Sequence, residues 1–227
     1  MIESFSSPMI AIIGSDGSGK STVSQALLAW MREDRPTELH HLGKQTGNVG
    51  RAIARWPVIG LRLDRKINKK AHDARGKKGP GPFTALVIYA FSMRRVLRFR
   101  RMLADRRRGI AIISDRFPQT AVPGPMDGMG LATVTSGALQ RLLARREHKL
   151  YIWMEGFRPD LVIRLNVDLE TALARKPDHR PSSLKRKVED VPRLTFAGAT
   201  IVDIDATQPL DEVVAQAKLA VIKALRQ

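Results

Sequence analysis

The feature that most constrains this chain is a glycine-rich loop set between an apolar run and a helical pattern. Residues 14–22 read Gly-Ser-Asp-Gly-Ser-Gly-Lys-Ser-Thr and satisfy the pattern G-x-x-x-x-G-K-[ST]. The preceding run Met9–Ile13 is short and aliphatic, as a buried strand would be. Such a loop turns its backbone N–H groups toward a phosphate, and the helix N-terminus adds positive potential. The sequence therefore predicts a nucleotide site; a chance Gly/Ser turn is the weaker interpretation, because both flanks agree with a phosphate loop.

The loop also suggests roles for individual side chains. We expect Lys20 to reach the outer phosphates of the nucleotide and Ser21 to hold Mg²⁺. Asp16 is unusual here because of its negative charge, and it either orients an acceptor hydroxyl or caps a turn. The residues predicted to contact the nucleotide are Gly14, Asp16, Gly17, Ser18, Gly19, Lys20, Ser21 and Thr22.

A guanine-specific switch protein is not expected from this sequence. The Asn-Lys-x-Asp signature that reads guanine is absent, because the nearest candidate, Asn68 followed by Lys69 and Lys70, continues with Ala71. ATP and Mg²⁺ are therefore the expected cofactors. The reaction class that remains is an ATP-driven transferase or an ATPase.

Alternating strand-like and helical patterns indicate an α/β fold. The predicted strands are Met9–Ile13, Glu38–Leu42, Ile110–Ser114, Leu161–Val167 and Thr200–Ile204. The predicted helices cover residues 19–32, 83–108, 136–147, 169–175 and 210–225. The apolar stripe expected to face the core from the second helix consists of Leu86, Ala90, Met93 and Leu97. Near-continuous apolar strands are typical of a parallel sheet covered on both faces, so we expect one domain, residues 1–227, built as a three-layer αβα sandwich.

Composition excludes several classes of chemistry and of location. The chain has no cysteine, so disulfides, thiolate metal sites and thiol nucleophiles are excluded. No apolar run reaches the roughly 18 residues that a membrane-spanning helix requires. We therefore expect a soluble cytoplasmic protein, with peripheral docking on a membrane as the one exception.

The net charge of +17 is concentrated in one part of the chain. Residues 44–108 hold 19 Lys and Arg against only Asp64, Asp73 and Asp105. This segment is either a solvated face or a surface for an anionic membrane. Specific nucleic-acid binding is not expected, because the segment lacks interleaved aromatics. For the membrane case, the arginines expected to face the lipid are Arg98, Arg100, Arg101, Arg106, Arg107 and Arg108.

Four sequence landmarks, taken in order, resemble those of a known family. They are the loop Gly14–Thr22, the run Ser114–Phe117, the run Pro159–Val162 and the run Asp205–Pro209. In this order they resemble the thymidylate kinase-like branch of the P-loop nucleoside and nucleotide monophosphate kinases, over most of the chain. The resemblance implies a five-stranded parallel sheet of order 2-3-1-4-5 and an adenine-side loop that contains Thr207, Gln208 and Pro209.

The same resemblance places two charged residues at the carboxyl edge of the sheet, where such sheets bind ligands. Arg116 is expected to clamp the acceptor or the transferring phosphoryl group, although a purely structural ion pair is an equal alternative. Asp115 is expected to hold Mg²⁺ through water or to accept the proton of an attacking hydroxyl; its alternative role is to orient Arg116.

The basic segment 175–187 lies where this family carries a lid over the ATP phosphates. Pro177 and Pro181 prevent one long helix through it. Closure of the lid would bring Arg175 or Arg180 to the γ-phosphate and exclude water. The alternative is a solvated basic loop. His40 and His41 are adjacent on a strand and are interpreted as strand-end residues that point to opposite faces.

The chain departs from the family where the family recognises its acceptor. Residues 118–128, which follow Phe117, lack the family's Tyr-Gln pair. Three hypotheses follow: a nucleoside or nucleoside monophosphate kinase, the same machinery acting on a sugar or envelope-glycan intermediate, and a non-enzymatic or ATPase module that binds nucleic acid through the basic segment. The expected partners are ATP and a small phosphate acceptor, and the oligomeric state is open, with a homodimer among the candidates.

Overall fold

The structure is a computed structural model that describes residues 7–43 and 80–226. Its strands are β1 (Met9–Gly14), β2 (Thr37–His41), β3 (Ala111–Asp115), β4 (Leu161–Asn166) and β5 (Ile201–Asp205). Its helices are α1 (Lys20–Met31), α2 (Pro82–Arg107), α3 (Ala138–Glu155), α4 (Leu169–Arg175), α5 (Pro181–Asp190) and α6 (Leu210–Leu225). Two 3₁₀ turns, Val191–Arg193 and Phe196–Gly198, lie between α5 and β5.

The five strands form one parallel sheet in the order β2-β3-β1-β4-β5. The expected α/β fold and the strand order implied by the family resemblance are therefore confirmed. The order changes direction at β1, and such a change opens a crevice at the carboxyl ends of the strands. The phosphate loop leaves β1 at this point.

Helices cover both faces of the sheet because side chains alternate along each strand. Met9 and Ala11 of β1 belong to an apolar cluster that includes Phe99 of α2. Ile10 and Ile12 belong to a second cluster on the opposite face, with side chains of α1 and α6. The continuous apolar sequence of β1 thus reflects burial on both faces, as its composition predicts.

Most predicted elements are confirmed, with their ends moved by one or two residues. Helix α3 is the exception: it runs on to Glu155, well past the expected end at residue 147. Tyr151 and Met154 in this extra stretch are fully buried, so tertiary packing supports turns that the sequence pattern left out. In the lid segment, α4 ends at Arg175 and α5 begins at Pro181, consistent with the proline break.

The apolar stripe expected on α2 is wrong. Leu86 and Leu97 are about half exposed, and the buried face instead includes Ser92, Arg95 and Phe99. The two polar side chains are satisfied inside the fold, since Ser92 donates to Glu147 at 2.5 Å and Arg95 pairs with an aspartate. A hydropathy pattern misses such a face because it scores buried, hydrogen-bonded polar residues as exposed.

The arginines expected to face a membrane are divided by the structure. Arg98 donates to the carbonyl oxygens of His41 and Gly43 at 2.8 and 2.6 Å. Arg106 is buried and donates to the Ser7 carbonyl and to Asp160. These two residues hold α2 against the sheet. The assignment of Arg106 to a solvent-facing surface is wrong because it is buried, whereas Arg98 is half-buried. The remaining arginines of that set are exposed.

The rest of the basic segment, residues 44–79, lies outside the described residues. Among the residues that the structure does describe, no helix is long and apolar enough to cross a membrane.

Candidate active site

The phosphate loop joins β1 to α1 through backbone that only glycine adopts easily. Gly19 is the N-cap of α1 and has left-handed dihedral angles, φ 83° and ψ 9°. Gly14 lies against β4, where an added Cβ would sit 2.7 Å from the carbonyl oxygen of Leu165. The loop is therefore packed tightly on the sheet, and the N-terminus of α1 points into the crevice as a positive end.

Lys20 is buried at the first position of α1. Its side chain is about 7% exposed, and its Nζ donates to the carbonyl oxygen of Ser15 at 2.5 Å. Burial lowers the pKa of Lys20 to about 8, and the nearby positive charge of Arg116 adds to this effect. The carboxylates of Asp16 and Asp115 oppose it. The ammonium group of Lys20 is thus desolvated, and the nearby carboxylates only partly offset the cost of its burial.

Arg116 follows β3 in a left-handed conformation, φ 69°. Its guanidinium donates to Asp16 at 3.0 Å and to Asp127 at 3.5 Å. The charge of Asp127 raises the pKa of Arg116 against the effect of burial, and the charge of Asp16 contributes further. Gly43 allows close approach from the other side, because a Cβ there would lie 2.7 Å from Cδ of Arg116. The guanidinium is thus held by two carboxylates at the edge of the crevice.

Asp16 is contacted by side chains from three parts of the chain. Besides Arg116, Lys187 of α5 contacts its Oδ2, and His179 Nε2 lies 3.6 Å from the same oxygen. Burial opposes ionisation of Asp16, but the hydrogen bond and charge of Lys187 outweigh it, and with Arg116 and Lys20 they lower the pKa to about 2. The carboxylate therefore stays ionised and connects the phosphate loop to the predicted lid.

The carboxyl ends of β2 and β3 bring a histidine to a carboxylate. His41 and Asp115 are register partners, and His41 Nδ1 lies 3.0 Å from Asp115 Oδ2. The neighbouring His40 points to the opposite face, where its Nε2 lies 3.2 Å from Asp105 of α2. Burial lowers the pKa of His40 despite that carboxylate. The expectation that the two histidines point to opposite faces is confirmed.

Two adjoining clefts open along the phosphate loop. The first has a volume of about 340 Å³ and is lined by Asp16, Gly17, Gly19, Lys20, Ser21, Thr22, Asp115, Arg116, Arg175, Lys176 and His179. The second, of about 290 Å³, is lined by Gly17, Ser18, Gly19, Thr22, Val23, Arg175, Ala206, Gln208, Leu210 and Val213. The first is rich in charge. The second is partly apolar and is closed by the loop after β5 and the start of α6.

Arg175 at the end of α4 lies on the boundary between the two clefts. It donates to the carbonyl oxygens of Gly17 at 3.3 Å and Ala206 at 2.8 Å. The loop after β5 is shaped locally, since the Thr207 N–H and hydroxyl both donate to Asp205 Oδ1. These hydrogen bonds lower the pKa of Asp205. Arg175 thus ties the phosphate loop to the predicted adenine-side loop.

A buried ion pair between Arg95 and Asp127 lies behind this edge of the sheet. Arg95 of α2 is fully buried and donates to the Leu42 carbonyl oxygen, to Tyr151 and to the main-chain and side-chain oxygens of Asp127. Asp127 therefore bridges Arg95 to Arg116. Its own backbone is left-handed, φ 63°, a conformation that aspartate adopts more readily than most residues.

The structure brings most of the sequence-predicted site residues together, but not all. Asp16, Gly17, Ser18, Gly19, Lys20, Ser21 and Thr22 of the phosphate loop line the two clefts together with Asp115, Arg116, Arg175 and Gln208, whereas Gly14 lines neither. Arg180 is exposed at the N-cap of α5 and lines neither cleft, and Thr207 and Pro209 lie beside the second cleft without lining it. The prediction that Arg180 meets a γ-phosphate would require the lid to move.

Sequence reasoning missed four residues that the structure places at or behind the clefts. Lys187 and His179 lie in the predicted lid, yet nothing marked them as partners of Asp16. Asp127 precedes a glycine in a Pro/Gly-rich stretch, which is a turn signal that could have found it. Arg95 was hidden in a basic run, and no local pattern separates it from its exposed neighbours.

A magnesium site is compatible with the residues present. Ser21 and Asp115 line the first cleft together with Lys20, and Oδ1 of Asp115 is buried without a hydrogen bond. Within residues 7–43 and 80–226, no group of three or more His, Cys, Asp or Glu could hold a metal ion by itself. A hydroxyl plus nucleotide phosphates is a suitable ligand set for Mg²⁺, which keeps several waters.

Comparison with known proteins gives relatives along nearly the whole chain. The chain is 44% identical over 220 residues to "Uncharacterized ATP-binding protein YghS" of Escherichia coli K12, covering 95% of the chain and 92% of that protein. It is 36% identical over 217 residues to "Uncharacterized ATP-binding protein YghR" of the same strain, covering 94% and 86%. No family model matches the chain.

Proposed function

Because the chain belongs to the family of the Escherichia coli ATP-binding proteins YghS and YghR, we propose that it is an ATP-dependent phosphotransferase. It binds Mg-ATP along the phosphate loop and transfers the γ-phosphoryl group to a small acceptor, a nucleoside or nucleoside monophosphate in the first instance. In the thymidylate kinase-like arrangement, donor and acceptor meet at the carboxyl ends of the parallel strands.

The observation that carries this proposal is the pair of adjoining clefts divided by Arg175. The charged cleft suits the phosphates, because Lys20 and the start of α1 offer positive potential there. The partly apolar cleft, with Gln208 and Leu210, suits a base and sugar. A mononucleotide that spans both clefts places its terminal phosphate toward Asp115 and Arg116.

Transfer of a phosphoryl group asks the protein mainly for alignment and positive charge. Lys20 neutralises charge on the outer phosphates, and Arg116 is held at the acceptor side by its two carboxylates. Ser21 is the protein ligand that we assign to Mg²⁺, which when bound neutralises the phosphate oxygens. The side chains of Lys20 and Arg116 are already largely shielded from water before the nucleotide binds, so less water has to be displaced at the moment of transfer.

The lid is engaged with the phosphate loop through Asp16. Lys187 and His179 lie on this carboxylate, while Arg180 is turned outward. Incoming phosphates compete with Asp16 for the ammonium group of Lys187, and the competition offers a route by which nucleotide binding reorders residues 175–187.

A non-nucleotide acceptor, such as a sugar or glycan intermediate, is the second candidate, and one observation favours it. Gln119 is the amide side chain in the stretch that follows Arg116, and it is fully buried. It donates to the carbonyl oxygens of Val122 and Met126 and accepts from Val122 N–H. Its hydrogen-bonding groups hold the loop itself and are unavailable to read a base.

The proposal is tested by transfer of the γ-phosphoryl of ATP to nucleosides, nucleoside monophosphates and sugars, with ATP binding measured calorimetrically. Lys20→Ala should abolish transfer while the fold is kept, because among the described residues its ammonium hydrogen-bonds only to the carbonyl oxygen of Ser15 in the phosphate loop. Gln208→Ala, in the other cleft, should weaken ATP binding more than turnover. Near-normal transfer and unchanged ATP affinity in Lys20→Ala would contradict the proposal.

A further inference from the structure

The outward faces of α2 and α3 carry apolar side chains that the fold leaves uncovered. The two helices lie side by side: Ala85 and Leu143 share an apolar cluster near their starts, and near their ends Arg100 lies 5.7 Å from the centre of the Trp153 ring. Among the described residues, ten large apolar side chains are exposed, and seven of them lie on these helices: Phe83, Leu86, Leu97, Leu139, Leu142, Ile152 and Trp153. The other three lie on α6, across the sheet.

On α2 the exposed apolar side chains belong to the stripe that the sequence pattern assigned to the core. Leu86, Ala90 and Leu97 recur at helical spacing, and all three are exposed. Arg94 and Arg101 lie four residues after Ala90 and Leu97, so they continue the same stripe, and both are exposed. Apolar and cationic side chains are therefore interspersed on one face of the helix.

The exposed charge of the two helices has one sign. Helix α2 contains one carboxylate, Asp105, which is partly buried beside His40. Helix α3 contains two, Glu147 and Glu155, and both are buried. The exposed charged residues of these helices are all basic: Arg94, Arg100, Arg101, Arg107, Arg141, Arg145, Arg146 and Lys149. Alternating signs are typical of a solvated helix face, so a face of one sign indicates an anionic partner.

The mixture of apolar and basic side chains decides among the anionic partners. Nucleic acid binds arginines through its phosphates but offers no contact to exposed aliphatic side chains such as Leu97 and Ile152. A second copy of this chain would cover these side chains but would bring like charges together. An anionic bilayer accommodates both, because apolar side chains enter the acyl boundary while arginines extend to the lipid phosphates.

We propose that the outward faces of α2 and α3 dock on an anionic lipid membrane. Leu97, Leu142 and Ile152 enter the acyl boundary, and the surrounding arginines bind the phosphates of the headgroups. This surface differs from the one expected from the sequence, because α3 contributes half of it and Arg106 is buried inside the fold. None of the residues that line the two clefts belongs to α2 or α3, so docking leaves the nucleotide site open.

The experiment is co-sedimentation of the full chain with vesicles of phosphatidylcholine and phosphatidylglycerol, and with vesicles of phosphatidylcholine alone. Two triple variants remove the apolar and the cationic contacts separately: Leu97→Gln, Leu142→Gln and Ile152→Gln in one, and Arg94→Gln, Arg101→Gln and Arg145→Gln in the other. The matched control is Leu219→Gln with Lys223→Gln, because these two residues are exposed on α6, across the sheet. Tm and ATP Kd are measured for every variant.

We expect the unmodified chain to sediment with the anionic vesicles at low salt and far less with phosphatidylcholine alone. The cationic variant should lose about 10²-fold in partition coefficient, at roughly fivefold per arginine. The apolar variant should lose about tenfold or more, because three side chains no longer enter the acyl boundary. The control should bind as the unmodified chain does, and Tm and ATP Kd should stay unchanged throughout.

Three results would overturn the proposal. One is no sedimentation of the unmodified chain at low salt, and another is a triple variant that sediments as well as the unmodified chain. The third is a different partner in place of vesicles: either duplex DNA bound equally by the apolar variant, or a dimer that the apolar variant dissociates. None of these results bears on phosphoryl transfer, which is measured separately.

Discussion

Asp127 offers the sharpest test of how this site is held together. Its carboxylate pairs with Arg95, whose side chain is 0% exposed, and lies 3.5 Å from Arg116. Asp127→Asn keeps the size of the side chain and tolerates the left-handed backbone, so it removes essentially the charge. Arg95 would then be a buried cation without a carboxylate partner.

The expected cost follows from the burial of Arg95. Removing one partner of a buried ion pair costs about 3–5 kcal/mol, because the remaining charge stays desolvated. Arg95 keeps its hydrogen bonds to Leu42, Tyr151 and the main chain of residue 127, so we expect the lower end, about 3 kcal/mol. For a chain of this size that loss corresponds to a fall in Tm of roughly 6–12 °C.

Urea unfolding followed by circular dichroism measures this cost, and a double-mutant cycle assigns it. Arg95→Met removes the buried cation, so adding it to Asp127→Asn should recover most of the lost free energy of unfolding. Asp203→Asn is a matched control: its carboxylate also pairs with an arginine, Arg164, but is half exposed, so its loss should cost under about 1 kcal/mol. A cost below about 1 kcal/mol for Asp127→Asn, or no recovery in the double mutant, would refute the buried-charge explanation.

Two further predictions concern proton linkage and the basic surface. Lys20 has a pKa of about 8 in the free protein against 10.5 as a reference, so the folded chain binds fewer protons between these values and its stability rises with pH there. Bound phosphates favour the charged amine, so above pH 8 ATP binding should take up a proton and ATP affinity should fall by up to about tenfold per pH unit. Lys20→Met should show neither effect. Equal proton uptake by the unmodified protein and by Lys20→Met, measured by calorimetry in two buffers, would contradict this prediction. The protein should sediment with anionic vesicles at low salt through its basic segment, and it should dissociate from them as the salt concentration rises. Replacing the exposed Arg94, Arg101 and Arg108 with Gln should reduce sedimentation without loss of Tm, and absence of vesicle binding by the unmodified chain would leave the segment as a solvated face.

The phosphate loop could be foreseen because a local sequence pattern encodes it, whereas the strand order was implied by the family resemblance. Gly19 and Lys20 are recognisable by spacing alone, since the loop needs its glycines and lysine at fixed offsets. Helix α4 was predicted with both ends correct, because Asp168 caps it and Pro177 follows it closely. The stripe on α2 failed because a pattern of apolar residues does not register buried polar residues that have partners.

By itself, the sequence determined the parallel α/β architecture and the phosphate loop, and its resemblance to a known family implied the place of Asp115 and Arg116 at the edge of the sheet. Tertiary structure alone decided which charges meet. Lys187 contacts Asp16 across 171 residues of chain, and Arg95 of α2 contacts Asp127 in the loop between β3 and α3. The physical reason is that two charged side chains distant in the sequence come into contact only when the helices and strands that carry them pack together. In this protein, the pairing of His41 with Asp115 depends on the register of two strands that are 74 residues apart.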